Sequence, residues 1–326
     1  MTQAELLSRL QSGLVIPAHP LALDADRQLD PERQCGLTRY YADCGAGGIA
    51  VGVHTTQFAI REKGLYPEVL RLARASWPQD RVAVAGVCGK TAQATSEAAL
   101  AAHLGYHTVL LNLSAWCGES QESILDHCRT VGEILPLFGF YLQPSVGGMN
   151  LDYAFWRGFA ELECVVALKV APFHRYRTLD VVRAVAEAGR ASDLALYTGN
   201  DDNILVDLLT RFEFGGQTLH FAGGLLGQWA VWTRRAVAML EDVKRLRASG
   251  AAIPAEWLTL AAALTDANGA LFDVRNNFAG CIAGIHEILR REGLLEGTWC
   301  LDRAETLGPG QLEEIERVLA AYPQLR

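Results

Sequence analysis

Four lysines occur in the chain, and three of them sit where lysines usually sit. Lys63 and Lys244 lie in charged, helix-like surroundings (REKG and EDVKRL), and Lys90 opens the loop after an apolar run. Lys169 is the exception: it follows Cys164-Val165-Val166-Ala167-Leu168 in a run with no other charge. Alternation along a strand puts Val165, Ala167 and Lys169 on one face and Val166 and Leu168 on the other. Burying an unpaired ammonium is costly, so such a group tends to shed its proton. A fall from ~10.4 to ~7–8 corresponds to roughly 3–5 kcal/mol. A neutral amine is what Schiff-base chemistry needs, because only that form attacks a carbonyl. The competing reading is a lysine that snorkels to the rim or pairs with a carboxylate. Tyr141 ends the preceding apolar run (Phe138-Gly139-Phe140-Tyr141). Set at matching height on a neighbouring strand, its phenol would stand beside the amine and pass protons to and from it; the alternative is an aromatic satisfied in the core.

The elements that must carry these residues are legible as a repeat. Short apolar runs at 14–18, 48–53, 82–87, 108–113, 139–143, 164–170, 194–199 and 218–223 are closed by Gly, Pro or Asn. Continuous apolarity of this kind marks strands buried on both faces. Helix-like stretches lie between and after them, at 31–43, 65–76, 91–104, 120–134, 150–161, 177–189, 201–211 and 226–248. Eight strand–helix repeats indicate α/β architecture, either a (β/α)8 TIM barrel or a doubly wound sheet. The first strand is followed by AHPLALDADRQLD, without the glycines of a dinucleotide fingerprint, which favours the barrel. Stretches at 254–270, 275–292 and 311–322 read as helices with no further strand. The expected organisation is a barrel over 1–250 carrying the site and a C-terminal helical region over 251–326.

In a barrel the chemistry gathers where strands end and βα loops begin. Those positions are His54-Thr55-Thr56, Lys90, Asn112 to Trp116, Tyr141 to Ser145, Lys169, Gly199 to Asp202 and Gly223-Gly224. His174, with Arg175 to Arg177, falls on the loop after Lys169, to meet the far end of a substrate or to cap the next helix. Asp201-Asp202 reads as a helix N-cap. Gly86-Val87-Cys88-Gly89-Lys90-Thr91 imitates a phosphate loop, but Val84 stands where its first glycine belongs. His103 and His107 are four apart without the companion glutamate of a zinc helix, so no metal is expected.

Composition narrows the class of protein. With 29 basic and 37 acidic residues and no basic run, a nucleic-acid partner is not expected. No apolar stretch reaches the ~18 residues of a membrane span, and the N-terminal residues do not read as a signal peptide. Eight scattered cysteines without a CxxC pair read as reduced thiols of a cytoplasmic protein.

The segment FYLQPSVGG followed by CVVALK, with Tyr141 and Lys169 28 residues apart, resembles the dihydrodipicolinate synthase/N-acetylneuraminate lyase family of class I aldolases. GAGGIAVGVHTTQF (45–58), the stretch at 82–111 and LYTGNDD (196–202) extend the likeness over roughly residues 12 to 250. The resemblance implies a barrel with C-terminal helices, a homo-oligomer (dimer or tetramer), and a lysine Schiff base with a 2-oxo acid such as pyruvate or a 2-keto-3-deoxy sugar acid. It implies Lys169 as that lysine, Tyr141 as the proton-relay phenol and Thr55 and Thr56 as the carboxylate cradle; Gly199 and His174, placed on βα loops, are the further expected substrate contacts, and no cofactor is expected. The chain also departs from the pattern. The substrate loop lacks the family's Gly-Glu ending, Val146 stands where the synthases have an arginine, and Trp116 where they have a neighbouring-subunit tyrosine. Dihydrodipicolinate synthesis is therefore not expected, and His54, titratable near neutrality, becomes a candidate for the missing proton path. The expected activity is a Schiff-base lyase of aldolase type, the alternatives being a sugar-acid dehydratase using the same iminium and a catalytically silent metabolite-binding barrel.

Overall fold

The structure, a computed structural model, describes residues 1–326. Seven of the eight barrel strands fall on the expected apolar runs: β1 (Val15–Pro17), β2 (Gly48–Val51), β3 (Val82–Val87), β4 (Thr108–Leu111), β5 (Leu137–Leu142), β6 (Val165–Ala171) and β7 (Ala195–Thr198). The last departs from expectation. Residues 218–219 belong to a short antiparallel hairpin, β8 (Phe212–Phe214) with β9 (Gln217–Leu219), and the barrel strand β10 follows at Phe221–Leu226. The turn glycines Gly215 and Gly216, both with positive φ, explain why the chain reverses before it enters the barrel.

All pairings within the barrel are parallel, in the order β1-β10-β7-β6-β5-β4-β3-β2. The ring closes where Ala18 bridges Ala50 and the His19 amide donates to the Ala50 carbonyl at 2.8 Å. Helices cover the outside: α2 (Pro31–Asp43), α3 (Tyr66–Ser76), α4 (Thr91–His103), α5 (Gln121–Gly132), α6 (Tyr153–Ala160), α7 (Arg175–Glu187), α8 (Ile204–Leu209) and α9 (Thr233–Ser249). Local chemistry starts several of them. Asp30 accepts the Arg33 amide before Pro31 opens α2, and Ser120 and Asp152 do the same for α5 and α6.

Two apolar cores result. One of 17 buried residues fills the lumen, with Val84, Leu110, Phe138, Ala167 and Tyr197 among them. The other, of 76, lies between strands and helices and runs without a break into the C-terminal helices α10 (Glu256–Leu271), α11 (Cys281–Arg291) and α12 (Gln311–Ala321). The N-terminal α1 (Gln3–Gln11), absent from the expectations above, turns Leu6 and Leu10 into the lumenal core and closes the barrel's lower end. The Tyr197 hydroxyl reaches down to it, donating to the Leu10 carbonyl at 2.7 Å.

At the upper end α10 packs on α8. Asn268 Nδ2 donates to the Asp201 carbonyl at 2.7 Å, and Thr265 Oγ1 to that of Asp202 at 2.8 Å. The helical region thereby holds the loop after β7 in place. Its own turn between α10 and α11 lies over the mouth of the lumen, where the 275–292 stretch was expected to be helical throughout. Asp273, Asn277 and Phe278 adopt φ of 54, 53 and 66°, so the chain turns and α11 begins only at Cys281. No helix is long and apolar enough to cross a membrane.

Candidate active site

Lys169 lies in β6 with its side chain in the lumen, on the face it shares with Ala167 and Ala171. It is 9 % exposed. Its aliphatic stem fits because β7 ends in glycine: a Cβ at Gly199 would stand 2.5 Å from Lys169 Cε and 2.8 Å from Ala171 Cβ. Nζ lies 4.5 Å from the centroid of the Phe140 ring. Burial lowers the amine's basicity, and the nearby Asp201 carboxylate offsets part of that fall. Reciprocally, burial raises the Asp201 carboxyl and the lysine's charge opposes the rise. The lone charge in an apolar run is thus held in a largely apolar pocket whose one carboxylate is that of Asp201.

Tyr141 is not that partner. Pairing of β5 with β6 begins at Leu137 opposite Val165, slips by one residue, and resumes with Phe138 opposite Ala167. Beyond the slip Phe140 stands opposite Lys169 and Tyr141 opposite Val170. A one-residue slip moves a side chain to the other face of the sheet. The Tyr141 ring therefore sits in the outer core, 4.9 Å from that of Trp156, with its hydroxyl donating to the Leu151 carbonyl at 2.9 Å. The expected phenol beside the amine is replaced by the Phe140 ring, which carries no proton to transfer.

After β2 the residues His54–Thr56 form a tight 3₁₀ turn whose first two members line the pocket. The amides at the start of such a turn have no partner within it. Thr55 presents its hydroxyl at the pocket wall, 3.4 Å from the His19 carbonyl. Thr56, by contrast, is turned away. Its hydroxyl donates to the His19 carbonyl at 2.6 Å and accepts the amides of Gly52 at 3.0 Å and Val53 at 3.3 Å. It clamps the turn to the strand and holds no ligand. Thr56→Val leaves those buried groups without a partner and is expected to cost at least ~1–3 kcal/mol, read as a lower urea midpoint at unchanged slope.

His54 lines the same pocket as Lys169. Burial, with a smaller contribution from the lysine's charge, holds the ring down at about 4. It is neutral around pH 7, an acceptor and donor of hydrogen bonds rather than a cation. Its protonation opposes folding, so the stability linked to it is lost as pH falls from ~6.5 toward the folded value.

The structure places the remaining expected residues differently. Gly199 lines the pocket, where its lack of a side chain accommodates the lysine stem. His174 is exposed and caps α7, its Nδ1 accepting the Arg177 amide at 3.4 Å, so it lies outside the pocket. Asp201, expected to cap a helix, does not: Asn203 occupies the N-cap of α8. Asp201 Oδ1 accepts the Gln228 amide at 3.3 Å while the carboxylate faces the pocket. Lys90 pairs with Glu119 at 2.7 Å on the surface, and Trp116 stacks on His127 with ring centroids 4.6 Å apart; neither reaches the pocket.

Sequence reasoning missed most of the wall. Phe140, Phe173, Phe272 and Phe278 line the pocket, the last two from the turn between α10 and α11. Cys281, at the first turn of α11, completes it, with its thiol pushed well up by burial. Strand parity was the only local signal for Phe140, and the slip in β6 inverts it. No group of three or more His, Cys, Asp and Glu side chains is assembled to hold a metal ion.

These features define a class: a (β/α)8 barrel with C-terminal helices over its mouth and a buried lysine at the carboxyl end of its sixth strand. Among solved structures this is the fold of dihydrodipicolinate synthases and N-acetylneuraminate lyases. Dihydrodipicolinate synthase from Oceanobacillus iheyensis superimposes with a TM-score of 0.76 at 18 % identity, covering 99 % of both chains. N-acetylneuraminate lyase from Fusobacterium nucleatum matches at 0.76 and 17 %, covering 96 % of this chain and 99 % of the other. A prophage protein of the dihydrodipicolinic acid synthase family from E. coli K12, solved with pyruvate, matches at 0.76 and 16 %, over 95 % and 97 %. No family model and no curated protein matches the sequence.

Proposed function

We propose that the protein is a Schiff-base lyase of aldolase type acting on a 2-oxo acid such as pyruvate. The observation that carries this reading is Lys169, a lysine of lowered basicity buried in an apolar lumen at the end where barrel strands deliver their catalytic groups. The neutral amine attacks the 2-oxo carbon, and the carbinolamine loses water to give an iminium that draws electrons from the adjacent carbon. Asp201 is the acidic group placed to take and return the protons of these steps. The amides that open the His54–Thr56 turn, with the Thr55 hydroxyl, supply donors for the substrate carboxylate. Neutral His54 adds one further hydrogen-bonding group. A sugar-acid dehydratase would use the same iminium, but it must satisfy a row of hydroxyls where this pocket offers phenylalanine.

The test is borohydride trapping with pyruvate and a panel of 2-oxo acids, read by intact mass and peptide mapping, with Lys169→Ala as the control. An adduct confined to Lys169 and abolished in the variant is expected. No adduct with any acid, while a metabolite still raises the melting temperature, would establish a binding protein instead. Labelling at Lys90 would overturn the assignment of the site.

A further inference from the structure

Four phenylalanines converge on the pocket from three separate parts of the chain: Phe140 from β5, Phe173 from the loop after β6, and Phe272 and Phe278 from the turn between α10 and α11. Two of them are held at a cost. Phe173 has φ of 49° and Phe278 of 66°, a region that bulky side chains rarely enter. Their rings meet edge to face, with centroids 6.0 Å apart and planes at 67°. Both are partly exposed, so they flank the way in rather than fill the floor. Backbone held in an unfavourable conformation on both sides of one opening points to a requirement on those two rings themselves.

Charge points the same way. No arginine lines the pocket, and its one lysine, Lys169, shares it with the Asp201 carboxylate. A second carboxylate or a phosphate would meet a carboxylate and four aromatic rings. A polyhydroxylated arm would lose its water while gaining few partners, since ten of the seventeen lining residues are hydrophobic and, besides Lys169 and Asp201, only Gln143, Thr55 and His54 offer polar side chains.

Resting on the Schiff-base reading above, we infer that the part of the substrate beyond its 2-oxo acid head is an uncharged aryl group seated between Phe173, Phe278 and Phe272. The aldol step is then written with pyruvate and an aromatic aldehyde. The amine and pyruvate form the iminium with release of one water. Loss of a methyl proton to Asp201 gives the enamine. Its carbon bonds to the aldehyde carbon, whose oxygen takes the proton back, and one water hydrolyses the new iminium. The product is a 4-aryl-4-hydroxy-2-oxobutanoate, and cleavage is the same sequence in reverse.

The experiment compares benzaldehyde with glyceraldehyde as partners for pyruvate, products being separated by chromatography and mass, with borohydride trapping run on the same enzyme preparation. We expect kcat/KM to favour benzaldehyde by about 10–200-fold, the discrimination a well-fitted apolar pocket supplies. Phe173→Gly and Phe278→Gly are expected to reduce that preference at least about 10-fold. Glycine is at home at positive φ, so both variants relieve backbone strain and can be read as folded proteins. A trapped pyruvate adduct with glyceraldehyde preferred, with neither aldehyde consumed, or with a preference untouched in both variants overturns the aryl arm alone. Failure to trap any 2-oxo acid on Lys169 overturns the Schiff-base reading, and the arm with it.

Discussion

Asp201→Asn is expected to yield an enzyme that still forms its borohydride-trapped adduct on Lys169 but turns over about 10²–10⁴-fold more slowly, the usual worth of a positioned acid–base group. The reason is the division of labour in the pocket. Attack by the amine and loss of water from the carbinolamine can exchange their protons with solvent, whereas enamine formation and the bond-making that follows need a proton-transfer group held against the substrate. With Tyr141 turned into the outer core, the carboxyl of Asp201 is the acidic group that shares the pocket with the amine. The substitution keeps the side chain's size and its ability to accept the Gln228 amide, so the loop after β7 stays in place. Two measurements check it. Exchange of pyruvate methyl protons with deuterated water, which reports enamine formation, is expected to fall with turnover. The pH at which trapping reaches half its maximum is expected to move down, because the Asp201 charge raises the lysine's proton affinity and the amide does not. Undiminished exchange in the variant would remove Asp201 from the chemistry. A second substitution sharpens the result: Phe140→Tyr places a phenol opposite Lys169, and in the Asp201→Asn background it should restore part of the exchange.

Gly199→Ala tests the lysine from the other side. The added methyl group would stand 2.5 Å from Lys169 Cε and 3.0 Å from Cγ, too close for either to stay. The backbone at Gly199 has no positive φ and tolerates alanine, so the strain falls on the lysine stem rather than on the strand. The amine is displaced by the better part of an ångström, and misplacement on that scale costs about 10²-fold in rate. The trapping rate at saturating pyruvate should fall by about that factor while the melting temperature changes little. An unchanged rate would mean that the amine reacts from a different rotamer. Loss of fold would mean that the contact with Ala171, 2.8 Å from the same methyl, dominates.

The two expectations bear on what a chain of this kind discloses. Its barrel was legible because parallel strands buried on both faces must be written as unbroken apolar runs, and the last was misplaced only because the hairpin at 212–219 uses similar residues. Lys169 was legible for the same reason inverted: a charge has no business in such a run. Its neighbours were not. The slip between Leu137 and Phe138 changes which residue faces the lysine, and nothing in LFGFYL against CVVALKV announces it. Asp201 was visible at the end of a strand, but a carboxylate before a helix reads first as a cap, and only the packing of α10 on that loop shows otherwise. Phe272 fell in the gap between two expected helices and Phe278 within the second, where the left-handed Asn277 and Phe278 undo that helix. Long-range assembly decided each of these positions.

The side chains that fill the lumen below Lys169 give the pocket the topology of a flask rather than a pipe. Leu6 and Leu10 of the helix that closes the barrel's lower end belong to the same packing, tied to the Lys169 neighbourhood through Tyr197, which pairs with the lysine across β6 and β7. Solvent and any ligand must share one neck, the opening flanked by Phe173 and Phe278. A ligand seated in that neck is also a cork: it cuts the amine off from bulk water for as long as it stays, and its departure, rather than any motion of the barrel, lets water back in.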